Sequence, residues 1–390
     1  MLPYIDNVNL KEIKEPFYIY KPEVLKKNTK NFLNNFSGEA VYAVKTNPCE
    51  FILKEIFNQG IKSFDVASIN EVKLIRKLFP HSNIYFMNPV KPGYSIKEAY
   101  CNYDVRDFSL DSDDELKKII TVTNSASDLN LHLRISVPND FAKVKLTNKF
   151  GVDGDKAQTL LKKIREKGKK IGVSFHTGSQ CMKPDAYKIA IKKVISIVKE
   201  SGIDIDFFNI GGGFPSSYPG MKPPLLREFF QVINYELSKK NYKKFKIKIL
   251  SEPGRTLVYN SMSLIVRVDL RKKNYLFIND GIYGSLNNAG KLGFRYTVDI
   301  FDKKRNSKLI PFSFYGPTCD SNDFMKGPFF LPDSVSEGDY IEIKEMGAYS
   351  ITMRCNFNGF YAKPKVFIGK YNKKIINSLK FSSKRESLNY

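Results

Sequence analysis

The 390-residue chain has only five cysteines, at 49, 101, 181, 319 and 355, an odd number spread too widely to form a CxxC pair or a zinc-like cluster. That spacing argues against a disulfide scaffold and a structural metal, and it suits a reducing, cytoplasmic compartment. No apolar run approaches the roughly 18 residues a membrane span needs, and the first 20 residues carry acids in place of a signal-peptide core. No GxGxxG follows the first apolar run, which argues against a doubly wound dinucleotide-binding sheet. Acidic residues are also scarce, 40 against 63 Lys plus Arg, for a formal charge of +23. The excess is mostly lysine on helical polar faces, such as Lys162, Lys163, Lys167, Lys192 and Lys193, and no basic block interleaves aromatics to stack bases. The charge therefore reads as a solvated surface, with neither nucleic acid nor membrane as a partner.

What is present is a 42% hydrophobic chain, long enough for two domains. Short apolar runs alternate with amphipathic helical patterns from about residue 21 to 255. Eight runs qualify as strands: 39–45, 62–68, 83–89, 105–111, 129–137, 170–178, 204–213 and 247–252. From Lys183, Ala186, Ile189, Ile191, Val194, Ile195 and Val198 fall near one helical face, and Gly202 ends the pattern. Eight strands alternating with helices predict a (β/α)8 TIM-like barrel over 21–255. Beyond Arg255 the helical period disappears. The segments 256–270, 275–284, 295–302, 310–316, 339–347 and 361–369 predict a mostly β domain over 256–370. Residues 16–22 are expected to return to it from the 1–20 segment as an extra strand, and 371–390 is a basic tail.

In such a barrel, chemistry collects where strands run out into loops at the C-terminal face. Lys45 closes the first predicted strand, Asp65 the second, Arg134 lies in the fifth and His176 ends the sixth. Gly211, Gly212 and Gly213 end the seventh, and Glu252 with Arg255 follows the eighth. A lone strand-end lysine is ordinarily solvated, and three glycines ordinarily mean a tight turn. A lysine inside VYAVKTNP that shares its rim with a carboxylate, a glycine run and an arginine instead suggests a covalent amine beside a phosphate cradle. Phosphate anchor, reactive lysine, carboxylate and imidazole together describe a site for pyridoxal phosphate.

The motifs YAVKTNP, FDVAS, FHTGSQ, NIGGGFP, SEPGR, YGPTCDSNDF, MGAYS and FNGF resemble those of the fold-type III pyridoxal-phosphate decarboxylases of basic amino acids, the ornithine decarboxylase group. The resemblance runs from residue 16 to about 361 and implies an alanine racemase-like barrel plus β domain. It implies that Lys45 bonds the cofactor, His176 stacks on its ring and Glu252 meets the pyridine nitrogen. By the same resemblance Ser179, Gly213, Gly254, Arg255 and Tyr349 hold the phosphate, Gly212 is a further cofactor contact, and Asp65 and Arg134 stand beside the lysine and imidazole. Cys319 is expected to direct protonation and Asp320 to bind a distal ammonium, both in the active site of a partner subunit of a homodimer. Tyr283, Phe357 and Asp323 complete the expected substrate contacts.

Cys-Asp-Ser-Asn-Asp at 319–323 favours a substrate ending in a cation over diaminopimelate, whose decarboxylases resemble Cys-Glu-Ser-Gly-Asp there. Ornithine decarboxylases often place a second acid after YGSFN. This chain reads YGSLNNAGKLGFRY, so water or Asp323 is left to set chain length, with Lys291 or Arg295 nearby. The expected order is ornithine (giving putrescine, for polyamine biosynthesis), then lysine, arginine and diaminopimelate. The alternatives are a noncatalytic regulatory homologue and a barrel-only cofactor-homeostasis protein. Retention of Lys45, His176, Glu252 and Cys319 opposes the first, and the added β domain the second.

Overall fold

Apolar residues on both faces of a short strand can be satisfied only by a sheet covered on both sides, and the central strands read FDV, YF and FSL. In the computed structural model, which describes residues 2–7, 9–146, 149–238, 247–290, 292–301, 306–360 and 363–369, they close into an eight-stranded parallel barrel. Its strands are Glu39–Ala43, Ser63–Val66, Asn83–Phe86, Asp107–Leu110, Asn130–Arg134, Lys170–Ser174, Phe207–Asn209 and Lys248–Ser251. Each sits inside one of the eight predicted runs, and the predicted strand ends are the loops of the C-terminal rim.

Helices cover the barrel for local reasons that can be named. Ser68 accepts a hydrogen bond from Glu71 N (3.3 Å) and starts Ile69–Leu78, and Ser112 does the same for Asp113–Val122 through Glu115 N. Asp185–Ser201 stops at Gly202, whose φ of 70° is the left-handed conformation that glycine adopts freely. This helix buries Ala186, Tyr187, Ala190, Ile191, Val194, Ile195 and Ile197. Ile189, expected on the same face, is 42% exposed, because the stripe runs through Ala190 and Ile197 instead.

The second sheet follows the order 298–300, 340–343, 262–272, 275–278, 309–315, 324–332. Phe17–Tyr20 joins it, antiparallel to 262–272 and parallel to Lys365–Ile368, so the chain's beginning and the end of this domain close on each other. Two features depart from expectation. Residues 255–258 form a helical turn before the first strand of this domain. Phe324–Pro332 is a strand with no counterpart among the predicted segments, since Gly327, Pro328 and Pro332 argue locally against one. It survives at the end of the strand order, paired only with 309–315, whose register is irregular between Phe312 and Phe314. The predicted basic tail, 371–390, lies outside the described residues. No helix among the described residues is long and apolar enough to cross a membrane.

Candidate active site

The barrel register brings the first site residues together. Ala43 pairs with Asp65 across adjacent strands, so the turn that follows, Val44–Thr46, hangs Lys45 over the neighbouring carboxylate. Lys45 Nζ lies 2.9 Å from Asp65 Oδ2; Asp65 is buried, whereas the lysine side chain is 44% exposed into a cavity of about 550 Å3. Burial works against the ammonium, but Asp65, Glu252 and Tyr349 outweigh it and hold the Lys45 pKa above its ordinary value. Arg134, His176, Ser179, Glu252, Arg255 and Tyr349 line the same cavity, and Gly213 and Gly254 wall an adjoining recess.

His176 is held from behind: its Nδ1 accepts from Gly178 N at 3.0 Å. Burial, then the charges of Arg134 and Lys45, press its pKa well below the ordinary range, so the imidazole is neutral. Glu252 accepts from Asn209 Nδ2 at 2.7 Å, while Asn209 Oδ1 accepts from Gly211 N at 2.8 Å. Asn209 was missed by sequence reading; its signal is its place two residues before the glycine run, at the end of the seventh strand. Burial and the charge of Asp65 push the Glu252 carboxyl up to about 7, against the opposing pull of Lys45, Arg134 and the Asn209 hydrogen bond.

A carboxyl that keeps its proton to higher pH when folded makes the folded state bind more protons than the unfolded one between about 4.5 and about 7. Through that window Glu252 subtracts stability from the apoprotein as pH rises. Glu252→Gln should therefore flatten the fall in apoprotein Tm across it, and a slope equal to the wild type's would assign the dependence to other groups.

Arg255 is buried at the far end. It donates from Nη1 to Tyr218 Oη (3.1 Å) and from Nη2 to Ser179 Oγ (3.3 Å), and its guanidinium lies 4.8 Å from the centre of the Tyr349 ring. Its Nε is buried with no hydrogen-bond partner. Tyr218, a further residue that sequence reading missed, comes from the loop after the glycines. The glycines answer first to packing: a Cβ on Gly211 would sit 2.0 Å from Phe175 O, on Gly212 2.3 Å from Glu252 O, and on Gly213, at φ 99°, 2.2 Å from Gly178 O. The same bareness leaves backbone N–H groups beside the Arg255 recess, a setting for an anion.

Cys319, Asp320, Tyr283 and Phe357 gather elsewhere, on the β domain. Tyr283 Oη donates to Asp320, the Tyr283 and Phe357 rings lie 4.6 Å apart, and Cys319 N and Sγ both reach Asn358 Oδ1. None of them lines the cavity of their own chain. The hydrogen bonds from Tyr283 and Asn322 hold the Asp320 carboxyl below the usual range, so it is anionic.

Asp323 departs from its expected substrate role. It is buried, and its carboxylate accepts from Ile282 N (2.8 Å), Thr318 N (3.1 Å) and Thr318 Oγ1 (2.7 Å), so it organises the loop from inside and offers nothing to a ligand. Arg295 donates to the carbonyls of Gly293, Phe294 and Gly327, and Lys291 lies outside the described residues.

Comparison with known proteins follows the same lines. The family described as pyridoxal-dependent decarboxylase, pyridoxal binding domain, matches residues 23–259. The lysine/ornithine decarboxylase of Selenomonas ruminantium is 30% identical over 367 residues, covering 91% of this chain and 90% of that one. The chain is also similar to the solved structure of a lysine/ornithine decarboxylase from Vibrio vulnificus complexed with cadaverine, with TM-score 0.80, 26% identity, and 93% and 96% of the two chains covered. The arginine decarboxylase of the Paramecium bursaria Chlorella virus also gives a TM-score of 0.80 at 26% identity, over 92% of this chain and 98% of that one.

Proposed function

The chain belongs to the pyridoxal-dependent decarboxylases, lyases acting on basic amino acids, and from that premise we propose that its main reaction converts L-ornithine to putrescine and carbon dioxide in polyamine biosynthesis. Pyridoxal phosphate is the cofactor, and the residues present fit it. The buried, unpartnered Arg255 Nε with Ser179, Gly213, Gly254 and Tyr349 suits the phosphate, while Lys45 sits within the same cavity as Glu252 and His176. When bound, this cofactor supplies an electron-accepting ring that takes up the electron pair left at the substrate Cα.

The chain's residues take the remaining roles. Lys45 Nζ would hold the cofactor covalently, and Asp65, 2.9 Å away, is the adjacent carboxylate that would orient the amine. Glu252, in the same cavity, would meet the cofactor's ring nitrogen, and a proton shared with its carboxylate would keep that ring cationic. Asn209 fixes that carboxylate. The neutral imidazole of His176 would hold the cofactor ring and add no competing charge. Arg134 offsets the Asp65 and Glu252 charges from the side.

The observation that carries the substrate reading is the half-buried, anionic Asp320, oriented by Tyr283 and placed outside its own chain's cavity. We take it to complete the site of a second copy in a homodimer, where it meets the substrate's distal ammonium while Cys319 supplies a proton to Cα and Phe357 flanks the side chain. In this reading residues 21–255 form the cofactor barrel and 256–370 the β domain that reaches across, with a strand from 1–20. Five free thiols suit a cytoplasmic setting.

Asp320→Ala should lower kcat/KM for ornithine by about 2 kcal/mol, roughly 30-fold, mostly through KM, with cofactor affinity unchanged. An unchanged kcat/KM would move the ammonium contact to another group and remove the main support for ornithine. With Asp323 committed to its loop, Asp320 is the single anion of this cluster free to meet the distal ammonium. One methylene then discriminates by only about 1–3 kcal/mol, so measurable lysine turnover is expected.

A further inference from the structure

A buried ion pair outside the residues discussed so far ties together the loops that border the cavity. Arg354 Nη1 lies 2.7 Å from Asp280 Oδ2, with the two side chains 8% and 0% exposed. Asp280 is saturated: Oδ1 accepts from Gly281 N (2.8 Å) and Ser285 N (2.9 Å), and Oδ2 also accepts from Ser285 Oγ (2.7 Å). Arg354 donates in addition to Ser285 Oγ, and nearby Tyr18 Oη and Ser350 Oγ are 2.5 Å apart. The pair thus joins the loop at 280–290 to the turn at 350–354, 74 residues away in sequence.

Those two segments carry different parts of the site. The first holds Tyr283, which orients Asp320, and Asn287 and Asn288, which line the cavity. The second lies between Tyr349 and Phe357. The Tyr349 end is fastened to the barrel independently of the pair, by Tyr349 N to Thr46 O (3.0 Å) and Asn47 Nδ2 to Gly347 O (2.9 Å). The 280–290 loop has lighter ties to this segment: Asn288 Nδ2 to Tyr349 O (3.3 Å) and Cys355 N to Tyr283 O (3.0 Å). A buried ion pair is weak evidence for stability, because apolar replacement of both partners is often neutral, whereas it does fix geometry.

The geometry points to the Arg354–Asp280 pair as a positioning clamp that sets where Tyr283 and Asp320 stand on the β domain, hence how they meet the substrate of the partner's site, and thereby sets selectivity for the length of the substrate's side chain. This inference rests on the proposed decarboxylation of a cationic amino acid by composite sites, but not on ornithine being the preferred one.

The test replaces the pair as a unit, Arg354→Met with Asp280→Leu, alongside the single conservative variant Arg354→Lys, in the full-length holoenzyme. Four quantities are read: Tm, the pyridoxal phosphate dissociation constant from absorbance titration of apoprotein, diamine product binding by calorimetry, and kcat and KM for ornithine and lysine. The double variant should keep cofactor affinity within about threefold, raise KM about tenfold with kcat little changed, weaken diamine binding in parallel, and bring the ornithine-to-lysine ratio toward one. Arg354→Lys should fall between it and the wild type, and it carries the test alone if the double variant fails to fold. Unchanged KM, diamine affinity and selectivity in a folded variant would overturn the clamp. So would loss of cofactor affinity in step with KM, which would mark a general structural role. A wild-type preference for lysine or arginine would defeat the ornithine reading and leave this comparison intact, since each ratio is taken against the wild type's own preference.

Discussion

Lys45→Ala protein should purify without the yellow of bound cofactor and lose at least about a thousandfold in kcat, because of the described lysines that line the cavity, Lys45, Lys145 and Lys149, Lys45 is the one that also walls the Arg255 recess and pairs with Asp65. Removing the lysine also leaves Asp65 buried with its ion-pair partner gone, a change that costs stability in its own right. Lys45→Arg separates the two effects. It keeps a cation beside Asp65 but cannot bond the cofactor, so it should recover much of the Tm and none of the activity. Borohydride reduction of the wild-type holoenzyme followed by peptide mapping should label Lys45. A label on another lysine, or on none, would remove Lys45 from its role.

The second large effect is a gain. If Cys319 and Asp320 complete a partner's cavity, Lys45→Ala and Cys319→Ala chains are each nearly inactive yet carry complementary defects. In a random one-to-one mixture, half the dimers are mixed, and each mixed dimer holds one intact site of two. Activity should rise to about a quarter of wild type. The expectation comes from Cys319, Asp320, Tyr283 and Phe357 standing together on the β domain while none lines the cavity of its own chain. No recovery after verified subunit exchange would mean that each chain builds its site alone.

The barrel was legible because its signals are local: each of the eight strands is an apolar run short enough to read directly, and serine caps or glycine stops bound several of the helices. Lys45, Asp65, Arg134, His176, Glu252 and Arg255 fall at strand ends, and the closed barrel carries all of them to one rim. What escaped depends on partners distant in sequence. Phe324–Pro332 is a strand only because Leu309–Tyr315 pairs with it, against the local vote of its prolines. The short antiparallel pair of Ala142–Val144 with Ser179–Cys181, at the cavity's edge, has no period to announce it. Asp323 looked like a free acid beside Asp320, and only the folded loop shows its oxygens turned to Ile282 and Thr318. Asn209, Tyr218 and the Arg354–Asp280 pair went unread for the same reason, since each acts through a residue from another part of the chain.

The most direct test of the whole account is carbon dioxide release by the purified holoenzyme from L-ornithine, L-lysine, L-arginine and meso-diaminopimelate, compared as kcat/KM under identical conditions. The account predicts ornithine first, lysine behind it by a factor that one methylene can supply, about 10- to 200-fold, and little turnover of diaminopimelate, whose distal carboxylate would face Asp320. A preference for diaminopimelate, or no release from any of the four with cofactor bound, would contradict it.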